Sequence, residues 1–335
     1  MRTTKFDIPI VIIIFKRKKA VEVIKRIKMV KPQKIYILGD NGRTAEEKEE
    51  VKVVRKLVEE AIDWECEVIK NYSEENRGVF ANIGLGAKWV FEREESAIFL
   101  EDDNLPEITF FEFSKQMLKL YEKDTRVLWI CGTNYLGKYN ASDNSSYMFT
   151  KHLLPCGWAS WGSKFNKYYD TTLELCDNEV VLDRVEKQYY NKKLYSQYKE
   201  SWMSEYYKTV NGERPISWDY HMDFTIKSNG FYGISPVVNQ IKNIGVDEHS
   251  IHGGTSFDYV MTKRFCGMDS YELKFPLNHP EKVLPDDNYE KAIAEILLYP
   301  RKMRIKNMVG RHIRNFFNIP SNSSIKDFFK FRRIT

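Results

Sequence analysis

Ala97-Ile98-Phe99-Leu100-Glu101-Asp102-Asp103-Asn104-Leu105-Pro106 joins four apolar residues to three consecutive carboxylates. The apolar four read as a short buried strand, and Glu101, Asp102 and Asp103 stand where that strand must end. A packed core does not accept three adjacent carboxylates without partners, because each ionised group loses hydration on burial. Either a solvated acidic turn or a bound cation with a phosphorylated ligand must meet them. Oxygen-rich carboxylate sites suit hard ions such as Mn2+ or Mg2+, which reach phosphates through one or two carboxylates and several waters.

Upstream, residues 8–15 form a continuous β-branched run, the pattern of a strand buried on both faces of a parallel sheet. Val21, Ile24, Ile27 and Val30 then recur three apart, as one face of a helix requires. A second strand at 34–38, a charged helix at 46–61 and a third strand at 66–69 repeat the unit. Strand and helix in alternation predict an open α/β sheet flanked by helices. In such sheets ligands bind outside the carboxyl ends of the strands. Three polar clusters stand there: Lys16-Arg17, Asp40 to Arg43, and Glu101 to Asp103. A helix at 81–91 contains Gly84 and Gly86, expected either to let a ligand approach or to ease helix packing.

After a helix at 110–121 and a strand at 127–132 the texture changes. Pro155-Cys156-Gly157-Trp158-Ala159-Ser160-Trp161-Gly162 reads as a movable loop whose flat apolar faces would stack on a sugar or base, or else plug the core. Residues 182–209 are tyrosine-rich helical material without an assignable role. A helix is expected from Ser217 to about Lys227, with Asp219 in its first turn and Asp223 one turn later on the same face. A helix N-terminus favours an ionised carboxylate, which suits a proton acceptor, although first-turn acids also occur on ordinary helices. Residues 243–255 gather polar groups between glycines, with His249 and His252 as metal or phosphate ligand candidates.

The 335 residues, 42% hydrophobic and 14% aromatic, belong to an ordered globular protein with an ample core. Net charge is +5, unevenly spread. Residues 301–335 carry ten Lys/Arg and one acid, a net +9, which leaves −4 for residues 1–300. The tail mixes these cations with apolar and aromatic residues, the texture of a segment that lies on an anionic membrane surface. Five scattered cysteines without metal-type spacing read as thiols in a reducing compartment. No run reaches the ~18 apolar residues of a membrane span, and the early apolar run lacks the small residues of a signal-peptide cleavage site. A cytoplasmic protein, peripheral on the inner face of the membrane, is expected.

In order, these motifs resemble nucleotide-sugar-dependent glycosyltransferases of the GT-A fold, a Rossmann-like mixed sheet, and in particular the N-acetylglucosaminyltransferase I family and its bacterial relatives. Four places between about 8 and 255 carry the likeness. Arg17 resembles the family's arginine after the first strand, and Asp40 its uracil-reading aspartate. Glu101-Asp102-Asp103 matches its metal motif. Trp218-Asp219-Tyr220-His221 is similar to its Trp-Asp-Asp-Trp segment, with Tyr220 and His221 departing from it. The resemblance implies that Asp103 coordinates Mn2+ or Mg2+, that Asp102 and Glu101 touch the donor's ribose and sugar, and that Asp219 is the base, with Asp223 the alternate. It makes Gly157 and Trp158 part of a flexible loop beside the donor and His252 a further candidate metal ligand. It implies an inverting transfer from a UDP-sugar to a glycan or lipid-linked acceptor, as in bacterial surface polysaccharide synthesis. Residues 1–285 would then be the transferase domain, 1–135 binding the nucleotide sugar and 136–285 the acceptor, with 286–335 a basic helical extension. Two rivals fit less well. Sugar-1-phosphate nucleotidyltransferases have a related sheet but carry glycine in the loop after the first strand, where Phe15-Lys16-Arg17-Lys18-Lys19 has none. Binding of nucleic acid through the tail is not expected, since it leaves Asp40 and Glu101 to Asp103 unexplained.

Overall fold

Ile10, Val11, Ile12, Ile13 and Ile14 are all buried, which is why the first strand is β-branched throughout and shows no alternation. The computed structural model describes residues 5–246 and 259–317. Its strands are β1 (Ile10–Ile14), β2 (Lys34–Gly39), β3 (Glu67–Tyr72), β4 (Ser96–Glu101), β5 (Asn104–Pro106), β6 (Val127–Cys131), β7 (Tyr147–Thr150), β8 (Trp158–Trp161), β9 (Tyr232–Pro236) and β10 (Ile241–Asn243). Eight of them form one mixed sheet in the order β3-β2-β1-β4-β8-β6-β9-β7. The β3-β2-β1-β4 half is parallel, β8 runs antiparallel to both β4 and β6, and β9 is again parallel to β6. A separate antiparallel pair, β5 with β10, follows directly on the acidic triplet and pairs Asn104 with Asn243. The architecture is therefore α/β, an open mixed sheet flanked by helices, as expected.

The helices Ala20–Val30 and Ala45–Ala61 make the first two crossovers, burying Val23, Ile24 and Ile27 of one and Val51, Val54 and Val58 of the other. Thr44 caps the second by accepting a hydrogen bond from Glu47 N (3.3 Å), and Glu47 as the third residue after the cap is the capping-box position. The glycines of the helix following β3 serve packing. Its first part, Phe80–Leu85, is π-wound, and a Cβ at Gly84 would strike the Tyr169 side chain, while one at Gly86 would strike Leu38.

Residues 158–161 are a central strand and not a movable loop. Trp158 is 1% exposed and stacks between Phe99 (centroids 3.9 Å, planes 3° apart) and Trp129 (4.2 Å, 21°). Of the two alternatives for this aromatic stretch, the core plug holds: strands on both sides pair with it, so its flat faces meet other rings. Gly157 ahead of it has φ +61, and its Cα faces Ile241 so closely that a Cβ would overlap that side chain.

The tyrosine-rich region becomes the helices Glu179–Glu186 and Lys192–Val210. The second supplies Glu205, 2% exposed, whose carboxylate accepts hydrogen bonds from Ile216 N (2.7 Å) and Ser217 N (3.0 Å). Those two amides precede the helix Trp218–Asn229, so Glu205 fixes where that helix begins.

The chain divides into two compact units, Met1–Glu295 and Ile296–Thr335. The division falls later than residue 285 because Tyr289 and Glu290 are buried in the first unit, Tyr289 bonded to Ser235 Oγ (2.7 Å) and Glu290 to Thr150 Oγ1 and Lys151 N. The second unit contains the helix Arg301–Phe317. Among the described residues no helix is long and apolar enough to cross a membrane, and all five cysteines are free.

Removing the central stacked ring tests this packing. Trp158→Ala is expected to lower the free energy of unfolding by about 3–5 kcal/mol, measured by denaturant titration; a loss below ~1 kcal/mol would contradict a core role.

Candidate active site

The carboxyl ends of β1, β2 and β4 open onto one cavity of about 320 Å³, at the lower end of the size range of small-molecule sites. The sequence brings different chemistry to it from each element. Phe15, Lys16 and Arg17 follow β1, Asp40 and Arg43 follow β2, and residues 76–83 descend from β3. Glu101 to Asn104 come from the end of β4 and the start of β5, and Trp218 and Asp219 from the start of their helix. Asn243, Gly245, Pro155, Cys156 and Cys266 complete the wall. Arg17, Asp40, Glu101, Asp102, Asp103 and Asp219, far apart in sequence, thus share one space.

The acidic triplet is met by Arg17. One guanidinium nitrogen, Nη1, donates to Asp102 Oδ1 (3.0 Å) and to Asp103 Oδ2 (2.9 Å). Phe15 N donates to the other Asp102 oxygen (3.2 Å), and Asn104 Nδ2 to Asp103 Oδ1 (2.7 Å). One positive charge does not balance three carboxylates in a low-dielectric wall. Burial, then the neighbouring carboxylates of Asp103, Asp102 and Asp219, hold the Glu101 carboxyl well above its ordinary range. Burial and Asp103 push Asp102 up to about 7, against the pull of Arg17. Gly245 is required beside this group, since a Cβ there would collide with the Asp103 carboxylate.

Lys16 and Arg43 line the same cavity. Lys16 Nζ bonds Glu47 Oε1 (2.8 Å), and the Arg43 guanidinium grips the same carboxylate with Nε (2.9 Å) and Nη2 (2.6 Å). Arg43 and Lys16 together hold the Glu47 carboxyl far below the usual carboxylate range. Glu47, in the first turn of the second helix, therefore ties the loop after β1 to the loop after β2.

Asp40 is almost fully engaged. Its Oδ1 accepts from Asn41 N (2.8 Å) and Arg77 N (2.8 Å), and its Oδ2 from Gly78 N (2.9 Å) and Asn76 Nδ2 (3.1 Å). Arg77 in turn holds Asn82 Oδ1 with Nε (3.0 Å) and Nη2 (2.6 Å). The carboxylate thereby shapes the wall at residues 76–82.

Asp219 sits in the first turn of its helix, where Ser217 caps the chain by accepting from Tyr220 N (3.1 Å) and donates its hydroxyl proton to the Asp219 carboxylate. Asp223, the alternate base that the resemblance implies, does not line the cavity. One turn further on it is 2% exposed and accepts from Trp202 Nε1 (3.2 Å), and burial pushes it up to about 7. Trp158 and Gly157 also fall outside the cavity lining, the first in the core and the second bonded through N to Asn104 Oδ1 (2.8 Å). His249 and His252 lie outside the described residues.

Among the described residues no three His, Cys, Asp or Glu side chains enclose a metal by themselves. What the cavity offers is a pair of carboxylates, Asp102 and Asp103, sharing one cationic group. That fits an ion that takes its remaining ligands from phosphate and water, and does not fit an all-protein cage. Reading the sequence missed Asn104 and Glu205. Asn104 directly continues the acidic triplet, a signal that was available; Glu205 is one acid in a charged helix, and nothing local marks it.

No protein-family model matches the chain, and no curated protein matches it. Among solved structures it is similar to UDP-glucose pyrophosphorylase complexed with UDP-glucose, with a TM-score of 0.31 and 9% identity over 71% of this chain and 91% of that chain. It is similar to apo UDP-glucose pyrophosphorylase with a TM-score of 0.32 and 8% identity, over 70% and 93%. An overlap this slight carries no functional assignment.

The raised carboxyl of Asp102 makes the ligand-free protein pH-sensitive in a defined direction. Folded, Asp102 keeps its proton up to about pH 7, whereas an unfolded Asp releases it near 4. Between those values the unfolded chain binds fewer protons, so stability falls as pH rises. Asp223, also raised to about 7, acts in the same sense. Buried His152 and His221, held below the ordinary imidazole range by burial, act in the opposite sense, so the Asp102 contribution is read against Asp102→Asn: the denaturant midpoint of the native protein relative to that variant, measured without divalent cation, should drop from pH 5 to 7.5, and a difference that rises across that window would refute the assignment.

Proposed function

We propose that the chain is an inverting glycosyltransferase of the GT-A type that moves a sugar from a UDP-sugar to an acceptor hydroxyl with the help of Mn2+ or Mg2+. The observation that carries this reading is one cavity lined both by Glu101, Asp102, Asp103 and Asp219 and by Lys16, Arg17 and Arg43. Carboxylates that burial and mutual repulsion hold against ionisation favour a cation, and the cations of the lining favour the phosphates that would accompany it.

Asp103, with Asp102 beside it, would hold the ion, and Arg17 would move from the two carboxylates to the diphosphate. A bound divalent cation neutralises the charge that develops on the departing diphosphate. Lys16 and Arg43 keep the diphosphate oriented. Asp40 holds residues 76–78 as the wall of the nucleoside end, and the imide N–H of a uracil can replace the longest of its four hydrogen bonds, that from Asn76. Glu101 presents its carboxyl to the donor's sugar hydroxyls. Asp219 accepts the acceptor's hydroxyl proton while that oxygen attacks the anomeric carbon, and the bond from that carbon to the diphosphate oxygen breaks. With Asp219 as the base and the acceptor oxygen as the nucleophile, the transfer is one displacement with inversion.

Two substitutions separate the roles. Asp219→Asn should reduce transfer by about 10²–10⁴-fold, followed as UDP release from a panel of UDP-sugars with Mn2+, while calorimetry finds UDP and Mn2+ binding unchanged. Turnover at the original rate would remove Asp219 from the chemistry. Asp103→Ala should abolish the Mn2+-dependent part of UDP binding, and identical isotherms would deny it a ligand role. Pyrophosphate formed from UTP and a sugar 1-phosphate, without transfer from any UDP-sugar, would replace the whole reading with nucleotidyl transfer.

A further inference from the structure

The helix Arg301–Phe317 has no part in the cavity, and its chemistry is of another kind. Its sequence holds six cations, Arg301, Lys302, Arg304, Lys306, Arg311 and Arg314, and no acid. At about 100° per residue, Ile305, Val309 and Phe316 fall within roughly 40° of one another. Met308 lies beside them, and Arg304, Lys306, Arg311 and Arg314 fall at least about 100° from Ile305. The apolar stripe is open to solvent: Ile305, Met308 and Val309 are each nearly half exposed, and Phe316 is 82% exposed. A helix of 17 residues is ~25 Å long, and it is not long and apolar enough to cross a bilayer.

We infer that Arg301–Phe317 docks flat on an anionic lipid bilayer, with its apolar stripe among the acyl chains and its cations at the headgroups. An interfacial helix requires this combination of a solvent-facing apolar stripe, cations along both margins and low overall hydrophobicity. Charge complementarity selects the occupant. The cations call for an anionic surface, and six of the ten cations of residues 301–335 lie on this helix, whereas residues 1–300 carry a net −4. Nucleic acid would satisfy the cations and leave Ile305, Val309 and Phe316 in water. A bilayer rich in anionic headgroups meets both sets of side chains. The inference does not depend on what reaction the cavity performs.

Co-sedimentation of the full chain with vesicles tests it. Vesicles of phosphatidylcholine with about one third phosphatidylglycerol should retain at least about tenfold more protein than pure phosphatidylcholine, and about 0.5 M NaCl should release most of it. The apolar-stripe variant Ile305→Glu, Val309→Glu, Phe316→Glu should lose at least about tenfold in retention. The charge variant Lys302→Gln, Lys306→Gln, Arg311→Gln leaves the stripe intact and should lose a comparable factor. Melting temperature and circular dichroism of each variant establish that it is folded, and the charge variant decides alone if the apolar one is not. Equal retention on neutral and anionic vesicles, or unchanged retention in a folded variant, overturns the inference. So does capture by RNA without retention on anionic vesicles.

Discussion

One guanidinium nitrogen of Arg17 lies within 3.0 Å of both the Asp102 and the Asp103 carboxylates, and the arrangement of the cavity follows from that contact. Arg17 leaves the end of β1 and the carboxylates leave the end of β4, and these strands are neighbours that pair from Ile10 with Ile98 to Ile13 with Glu101. The parallel register makes the juxtaposition unavoidable: strands that start together and run the same way also end together. Without the cation, two buried carboxylates would face each other across a medium that screens poorly, a situation proteins resolve by protonation or by an added positive group. Here both resolutions are partly used, since Arg17 is in place and the carboxyls of Asp102 and Glu101 remain raised.

The remainder of the sheet keeps that edge rigid. β8 runs backwards between β4 and β6, so its beginning, not its end, lies at the cavity, and Pro155 and Cys156 reach the wall from there. Its first residue, Trp158, is stacked from Phe99 on one side and Trp129 on the other. Those rings anchor three adjacent strands directly beneath the carboxylates. Asn104 then links the layers, giving one amide group to Asp103 and taking the amide hydrogen of Gly157. A polar side chain that donates on one side and accepts on the other fixes a charged neighbour without adding charge.

How much of this was legible in the sequence depended on the range of the cause. β1, β2, the first two helices and the acidic strand end are dictated by local periodicity, and they were read nearly to the residue. Convergence of Arg17, Asp40 and Glu101 to Asp103 was legible from topology, because ends of parallel strands share an edge. β8 was not legible, since four residues are too few to show alternation, and a Gly-Trp-rich run has the composition of a loop until two flanking strands claim it. Glu205 was equally hidden. Its two hydrogen bonds go to backbone amides at Ile216 and Ser217, and a backbone amide leaves no mark in a sequence.

The helix Trp218–Asn229 shows why spacing alone does not assign a role. Asp219 and Asp223 are one turn apart and share a face, so periodicity gives them equal claims. A turn advances ~5.4 Å along the axis, however, and of this helix only Trp218 and Asp219 line the cavity. Asp219, at the N-terminus, is reached by the capping hydroxyl of Ser217 and by the cavity. Asp223 has already passed into the aromatic packing around Trp202, near the buried ammonium of Lys227, which lies 4.2 Å from the Tyr189 ring. Glu205 sets this difference by fixing where the helix starts: a start one residue later would carry Asp219 about 100° around the axis and away from the carboxylates it faces. The helix that had no legible role in the sequence therefore determines which acid lines the cavity.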